Sequence, residues 1–310
     1  MKIIGGKVDG KIFYQGNIVD ESDVSVSIKS KAFNYGLACF EGIRAYWDDE
    51  EKQLYGLCMK THYDRLLESC KCLNMKIPYT VDELCEITKE LLRANNHKAT
   101  TYIRPIVYKG AETLKPTLRD ADDRIVIYTE LMESYSEKDE LRVAVSSWRR
   151  ITDSSLPPRV KATAGYLNSA LAALEVTSNG YDEAVFLTNS GVICEGPGEN
   201  IFFVKKGKLL TPPTSDDILE GITRELVIKL AKNELGMEVE ERSIARTELY
   251  NSQEVFFSGT AMEIISVVEA DNRIIGTGHQ GEVCKKLKAL FQKARIGKLK
   301  GYENLVEKIY

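Results

Sequence analysis

The chain is short of the residues that metal chemistry needs. Its 310 residues include three histidines, His62, His97 and His279, far apart and in no HExxH pattern, so no catalytic metal is expected. The seven cysteines, Cys39, Cys58, Cys70, Cys72, Cys85, Cys194 and Cys284, are odd in number and contain no CxxC pair. That argues against a disulfide framework and a zinc cluster, and most of them read as reduced, buried, small apolar residues. Cys70 and Cys72 lie two apart on an expected helix and so point to different faces. No apolar run approaches the ~18 residues of a membrane helix. The opening Met1-Lys2-Ile3-Ile4-Gly5-Gly6 breaks at its glycines and lacks the apolar core of a signal peptide, so the expectation is a cytoplasmic protein with no membrane partner. A basic surface is lacking too. With 42 basic residues against 46 acidic ones the formal net charge is −4, and nucleic-acid binding has no support. GxGxxG, a Walker A loop and a 20–50-residue repeat are all absent.

What is present is an ordinary globular composition, with 43% hydrophobic and 28% charged residues, and a length that suits two domains. Residues 11–28 alternate around Gly16-Asn17 and predict a β-hairpin. Residues 41–47 and 53–58 read as a strand pair across an acidic turn. Leu66, Leu67, Cys70 and Leu73 recur at helical spacing within 60–74. A second helix is predicted over 81–95, with Asp82 and Glu83 favourably placed in its first turn. Apolar, β-branched runs at 101–109 and 124–131 predict strands. Residues 133–140, ESYSEKDE, carry no apolar anchor but Tyr135 and read as a linker. Beyond it the strand and helix patterns restart. Strands are expected at 141–146, 183–188, 192–195, 200–205, 254–258 and 264–268, and helices at 166–179, 221–235 and 280–295, the first closed by Gly180 and the second by Gly236. The expected architecture is α/β, of the α+β type, with short mixed or antiparallel strands and flanking helices. Its parts are a small N-terminal domain (1–132), the linker and a large C-terminal domain (141–310).

Several segments have the chemistry of a site. Lys161 is followed by the small residues Ala162-Thr163-Ala164-Gly165, which leave room for a bulky ring, and Tyr166 opens the next helix. A lysine buried there would have a lowered pKa, because desolvation disfavours the ammonium. Glu195 precedes the turn Gly196-Pro197-Gly198, where a carboxylate is placed to pair with a protonated ring nitrogen. Gly221-Ile222-Thr223-Arg224 begins a helix whose unpaired amides make an anion site, and Arg65 would add a charge-assisted bond. Ser258-Gly259-Thr260-Ala261 ends a strand in a turn with amides and a hydroxyl for phosphate or carboxylate oxygens. Tyr102 and Arg104 share one strand face because they lie two apart.

Taken together and in this order, Phe40-Glu41-Gly42-Ile43-Arg44, 62–66, Tyr102-Ile103-Arg104-Pro105, 161–168, 195–200, 221–224 and 258–261 resemble the branched-chain aminotransferase family over residues 10–295. The Lys161 and Glu195 segments are shared with the wider fold type IV pyridoxal enzymes. The resemblance implies pyridoxal 5′-phosphate as cofactor, carried by Lys161, which also moves a proton between the substrate's Cα and the cofactor. It implies that Glu195 binds the pyridine nitrogen and Tyr166 the phenolic oxygen. Arg65, Ile222, Thr223 and Thr260 correspond to the phosphate cradle. Tyr102, Thr260 and Ala261 correspond to groups at the α-carboxylate, Arg104 to the arginine for glutamate's side-chain carboxylate, and Tyr35 and Phe40 to walls of the apolar pocket. The implied reaction is reversible transfer of the amino group between leucine, isoleucine or valine and 2-oxoglutarate, in a homodimer or larger homo-oligomer. This chain departs from many members at Gly165, where they carry asparagine, and at Asn34, where they carry histidine. Cys39 adjoins Phe40, so alkylation is expected to slow the enzyme. The alternatives are a D-amino acid or amine transaminase or an aminodeoxychorismate lyase of the same fold, or a cofactor-binding protein without chemistry.

Overall fold

The computed structural model describes residues 10–134 and 136–310; the readings at Met1–Gly6 and at Tyr135 lie outside them. The backbone groups into two compact units, one of Met1–Glu133, Val160–Ala164 and Ala294–Tyr310, the other of Ser134–Arg159 and Gly165–Lys293. The sequence reading places 141–310 in one domain, whereas 160–164 and 294–310 group with the first unit. The reason is backbone pairing. Ala162 bridges to Cys39, and Val306–Lys308 adds an antiparallel strand against Tyr55–Leu57.

The first unit is an eight-stranded sheet with helices packed on it. Its strands are β1 (Lys11–Tyr14), β2 (Asn17–Asp20), β3 (Ala38–Phe40), β4 (Ile43–Asp48), β5 (Gln53–Leu57), β6 (Thr101–Lys109), β7 (Asp123–Leu131) and the C-terminal strand. The hairpin expected over 11–28 ends at Asp20, because the acidic Glu21–Asp23 turns into a short 3-10 segment. The helices are α1 (Lys31–Tyr35), α2 (Met59–Cys72) and α3 (Val81–Ala94). Thr80 and Glu83 form a capping box that fixes the start of α3, and Leu84, Leu91 and Leu92 bury its apolar face with Leu66 and Cys70 of α2. As expected for residues two apart, Cys70 is buried and Cys72 exposed. Cys39 is fully buried with its Sγ 3.6 Å from that of Cys70. The contact with Cys70 and then burial push its thiol far up, so Cys39 is a poor target for the alkylation expected there.

The second unit is a ten-stranded sheet. It contains β8 (Glu140–Arg149), β9 (Glu183–Leu187), β10 (Val192–Ile193), β11 (Asn200–Lys205), β12 (Lys208–Thr211), β13 (Val239–Glu241), β14 (Ile244–Ala245), β15 (Glu254–Gly259), β16 (Glu263–Ala270) and β17 (Arg273–Ile274). Its helices are α4 (Tyr166–Ser178), α5 (Ile222–Asn233), α6 (Arg246–Tyr250) and α7 (Glu282–Ala294). The sheet is mixed, with β8 parallel to both β16 and β9 and most other pairs antiparallel. Phe203, Phe257, Ile201 and Val185 fill its core, which holds the ends of β11 and β15 rigidly for the site described below.

Burial pushes the Glu183 carboxyl at the start of β9 up from 4.5 to about 7, against a lowering contribution from the Ala184 amide. Between those values the folded state keeps a proton that the unfolded state releases, so stability falls as pH rises through this window and the deficit is complete above it. Glu183→Gln is therefore expected to raise the thermal midpoint at pH 8 by roughly 5 °C and to leave it unchanged at pH 4. Calorimetry at the two pH values checks this, and equal shifts at both would refute it.

Candidate functional site

In the first unit, the backbone around Lys161 is pinned on both sides. Phe40 N donates to Lys161 O (3.0 Å), and the Thr163 hydroxyl donates to Gly36 O (2.8 Å) and Ala38 O (3.2 Å). Lys161 N donates to the Ser69 hydroxyl of α2 (3.4 Å). The lysine is half-buried, and its Nζ lies 5.2 Å from the centre of the Phe40 ring. The Arg104 guanidinium stacks on the same ring at 4.4 Å. Arg104 also lies 5.1 Å from the Tyr102 ring, and its Nη2 donates to the Tyr102 hydroxyl (2.9 Å). The shared strand face read from the sequence therefore brings these two together. The buried Nε of Arg104 has no partner among the described residues. Tyr35 ends α1, is 38% exposed, and donates its hydroxyl to Leu114 O (2.6 Å). Asn34, one of the two departures noted above, donates to Ile28 O and Ser30 O.

Gly42 makes room for this arrangement, since a Cβ built there collides with the Tyr102 hydroxyl and ring. Gly42→Ala is expected to displace Tyr102 and the hydrogen bond it accepts from Arg104. If Arg104 receives the side-chain carboxylate of 2-oxoglutarate, as the resemblance implies, the KM for that acid should rise by about tenfold, the worth of one charge-assisted hydrogen bond. Steady-state kinetics with both substrates tests this, and an unchanged KM would refute it.

Arg65 sits on α2 with His62 one turn before it. Its Nε donates to Glu41 Oε1 (2.7 Å) and its Nη2 to Glu41 Oε2 (2.9 Å). His62 Nδ1 lies 2.8 Å from Glu41 Oε2.

In the second unit, Glu195 is 3% exposed. Its Oε2 accepts from Asn200 Nδ2 (3.0 Å) and from the Leu219 amide (3.0 Å), and Arg150 Nη2 lies 2.7 Å from its Oε1. The carboxylate is thus fixed from three directions. Asn200 opens β11 opposite Ser258 of β15, and its side chain presses on Gly221, where a Cβ would strike Asn200 Oδ1. Gly221 is the N-cap of α5 and provides no side-chain cap, so the first amides of Ile222 and Thr223 lack that partner. Across from Asn200, Ser258 Oγ is buried with no partner among the described residues. Gly259 lies against the Gly-Pro-Gly turn so closely that a Cβ there would meet Gly198 O at 3.2 Å, which sets Thr260 next to that turn. Tyr166 is the first residue of α4. One turn on, the Ser169 hydroxyl donates to Pro197 O (2.6 Å) and ties the helix to that turn. A Cβ at Gly165 would meet the end of the Ile151 side chain at 3.2 Å, a tight fit for the asparagine that the resemblance leads one to expect there. Through Asn200 the structure therefore brings the Glu195 carboxylate close to the uncapped start of α5, where Ile222 and Thr223 lie, and Gly259, next to Thr260, packs on the Gly-Pro-Gly turn that follows Glu195.

The family model for amino-transferase class IV matches residues 38–270. The chain is 48% identical over 299 residues to the "Probable branched-chain-amino-acid aminotransferase" of Aquifex aeolicus, covering 96% of each chain. It is 37% identical over 285 residues to the branched-chain-amino-acid aminotransferase of Escherichia coli K12, covering 90% of this chain and 91% of that one. The chain belongs to the class IV aminotransferases, in the branched-chain-amino-acid aminotransferase family. Its fold matches the crystal structure of the branched-chain aminotransferase of Thermoproteus uzoniensis with norvaline at a TM-score of 0.93 and 40% identity, over 97% of this chain and 99% of that one. It matches the branched-chain amino acid aminotransferase of Thermobaculum terrenum in its PLP-form at a TM-score of 0.93 and 36% identity, over 97% and 99%. The antiparallel sheet of the first unit and the mixed sheet of the second, with their flanking helices, are the fold type IV architecture of this family.

Among these class IV aminotransferase residues, sequence reasoning passed over Arg150 and Asn200, the partners of Glu195, and Glu41 with His62, the partners of Arg65. Glu41 carried a signal, as a lone carboxylate between Phe40 and the apolar strand β4 that only a cation would let fold inward. Arg150 carried none, because its partner is remote in sequence.

Proposed function

We propose that this chain is a pyridoxal-phosphate-dependent branched-chain aminotransferase, exchanging the amino group of L-leucine, L-isoleucine or L-valine with 2-oxoglutarate. The observation that carries this reading is the Phe40 ring with Lys161 and Arg104 both against it. An apolar wall with one arginine on it accepts a leucine-like side chain and also glutamate's second carboxylate. Arg104 Nε and Ser258 Oγ, buried without a partner among the described residues, fit a site built for anionic groups.

The residues fit the cofactor in kind. Lys161 is the amine that would carry it and Glu195 the fixed acid for its ring nitrogen. Tyr166 is the donor for its phenolic oxygen. Arg65, Ile222, Thr223 and Thr260 are the cradle for its phosphate. When bound, it supplies an electron sink that acidifies the substrate's Cα–H. Lys161 Nζ, once freed from the cofactor, would take the proton from Cα and pass it to the cofactor's C4′ carbon, which receives the amino group. Tyr102, Thr260 and Ala261 orient the α-carboxylate, and Tyr35 and Phe40 bound the side chain. Among the described residues no helix is long and apolar enough to cross a membrane. The resemblance further supports an enzyme working as a homodimer or larger homo-oligomer.

The test is formation of L-glutamate from 2-oxoglutarate with each of the three amino acids, run beside D-alanine, 1-phenylethylamine and acceptor-free aminodeoxychorismate. Turnover of the three L-substrates is expected. Its absence, with activity on one of the others, would move the substrate assignment to that class.

A further inference from the structure

We infer that Glu41 and His62 are positioning residues that hold the Arg65 guanidinium in one orientation for the phosphate of the cofactor. This rests on the reading above that Arg65 meets that phosphate.

Glu41 is completely buried on the short link between β3 and β4. A carboxylate in such a place is tolerated only when paired and hydrogen-bonded. Glu41 is satisfied four times, by the two Arg65 bonds, by His62 and by the Gly42 amide at 3.3 Å. Burial alone would raise its pKa, but the Arg65 charge and the His62 hydrogen bond outweigh it and hold the carboxyl well below the usual range. Burial lowers the pKa of His62, so its imidazole is neutral and Nδ1–H donates to the carboxylate. The carboxylate charge balances the guanidinium charge within one buried cluster.

The geometry does more than neutralise. A bidentate carboxylate locks the plane of a guanidinium, whose fork is rigid. Glu41 occupies the Nε–Nη2 edge, which fixes the direction in which the remaining guanidinium N–H groups point. Arg65 side-chain exposure is 11%, which keeps the group at the margin of the core instead of inside it. The same face of α2 bears His62, Arg65 and Ser69, and Ser69 accepts from Lys161 N. The Phe40-Glu41 peptide is itself anchored, Phe40 N to Lys161 O and Glu41 N to Pro105 O, both at 3.0 Å. The clamp on Arg65 is therefore built into the backbone that also fixes the lysine.

A purely structural ion pair and a phosphate-positioning device differ in ligand dependence. The full-length enzyme, freed of cofactor, is titrated with pyridoxal 5′-phosphate and separately with pyridoxal, which lacks the phosphate, and binding is followed by absorbance. Glu41→Gln and His62→Gln are each expected to weaken pyridoxal 5′-phosphate about ten- to a hundredfold, as loss of an orienting partner does elsewhere, and to leave pyridoxal unchanged. Equal loss for both ligands, or none for either, in the variants that fold would overturn the inference. Arg65→Ala separates the two levels. If it fails to discriminate the two ligands, the assignment of Arg65 to the phosphate is wrong. If it discriminates and the Glu41 and His62 variants do not, only the positioning role is wrong.

Discussion

Lys161→Ala is expected to lower turnover of L-leucine with 2-oxoglutarate by about 10⁵-fold or more, the scale seen when a catalytic nucleophile is removed. Under the proposed assignment the loss is double, because one Nζ both carries the cofactor and moves the Cα proton. The fold should survive the change. The backbone of Lys161 is held through its own amide and carbonyl and through the Thr163 hydroxyl, none of which needs the side chain. The thermal midpoint should therefore shift little. Lys161→Arg should be as inactive as the alanine variant, since a guanidinium keeps its proton at any working pH. A small primary amine added to Lys161→Ala should restore part of the rate, because it can carry the proton that Nζ no longer does. Turnover within tenfold of the parent enzyme in Lys161→Ala would remove the basis for the assignment.

Much of this was legible in the residue pattern, for reasons particular elements make plain. β6 and β7 are long β-branched runs, and α2 and α3 have apolar stripes at helical spacing, so local periodicity identified them. β3 is three residues long and the C-terminal strand is also three, and both exist only through partners far along the chain. Nothing local announces such strands. They are also why 160–164 and 294–310 group with the first unit, against the simple division after the linker. The same distinction holds at the site. Tyr102 and Arg104 lie two apart on one strand and were readable as a pair, and their hydrogen bond follows. The Arg150–Glu195 pair joins the end of β8 to the stretch between β10 and β11. No spacing rule reaches across that interval, so only the folded sheet exposes it. Glu41 lies between these cases, since its type in an apolar run called for a cation but could not name Arg65.

Glu195→Gln is the second large effect expected, a fall in kcat of about 10²–10³, the worth of one preorganised electrostatic contact at a reacting centre. The carboxylate is surrounded by donors, Asn200 Nδ2 and the Leu219 amide on Oε2 and the Arg150 guanidinium beside Oε1. A glutamine has one acceptor oxygen, so its amide NH2 must face one of these donors and loses that contact. The larger loss is the charge. In the proposed role the anion keeps the ring nitrogen protonated, and a neutral amide does not, so the electron sink weakens while the attachment at Lys161 and the phosphate cradle are untouched. The variant should therefore retain the cofactor's visible absorbance and yet turn over slowly, with KM for L-leucine little changed. Glu195→Asp keeps the charge but draws it back by one methylene, and its kcat should lie between the two. Loss of the cofactor together with activity in Glu195→Gln would instead make Glu195 an anchor. Unchanged kcat would mean that the acid for the ring nitrogen is another residue.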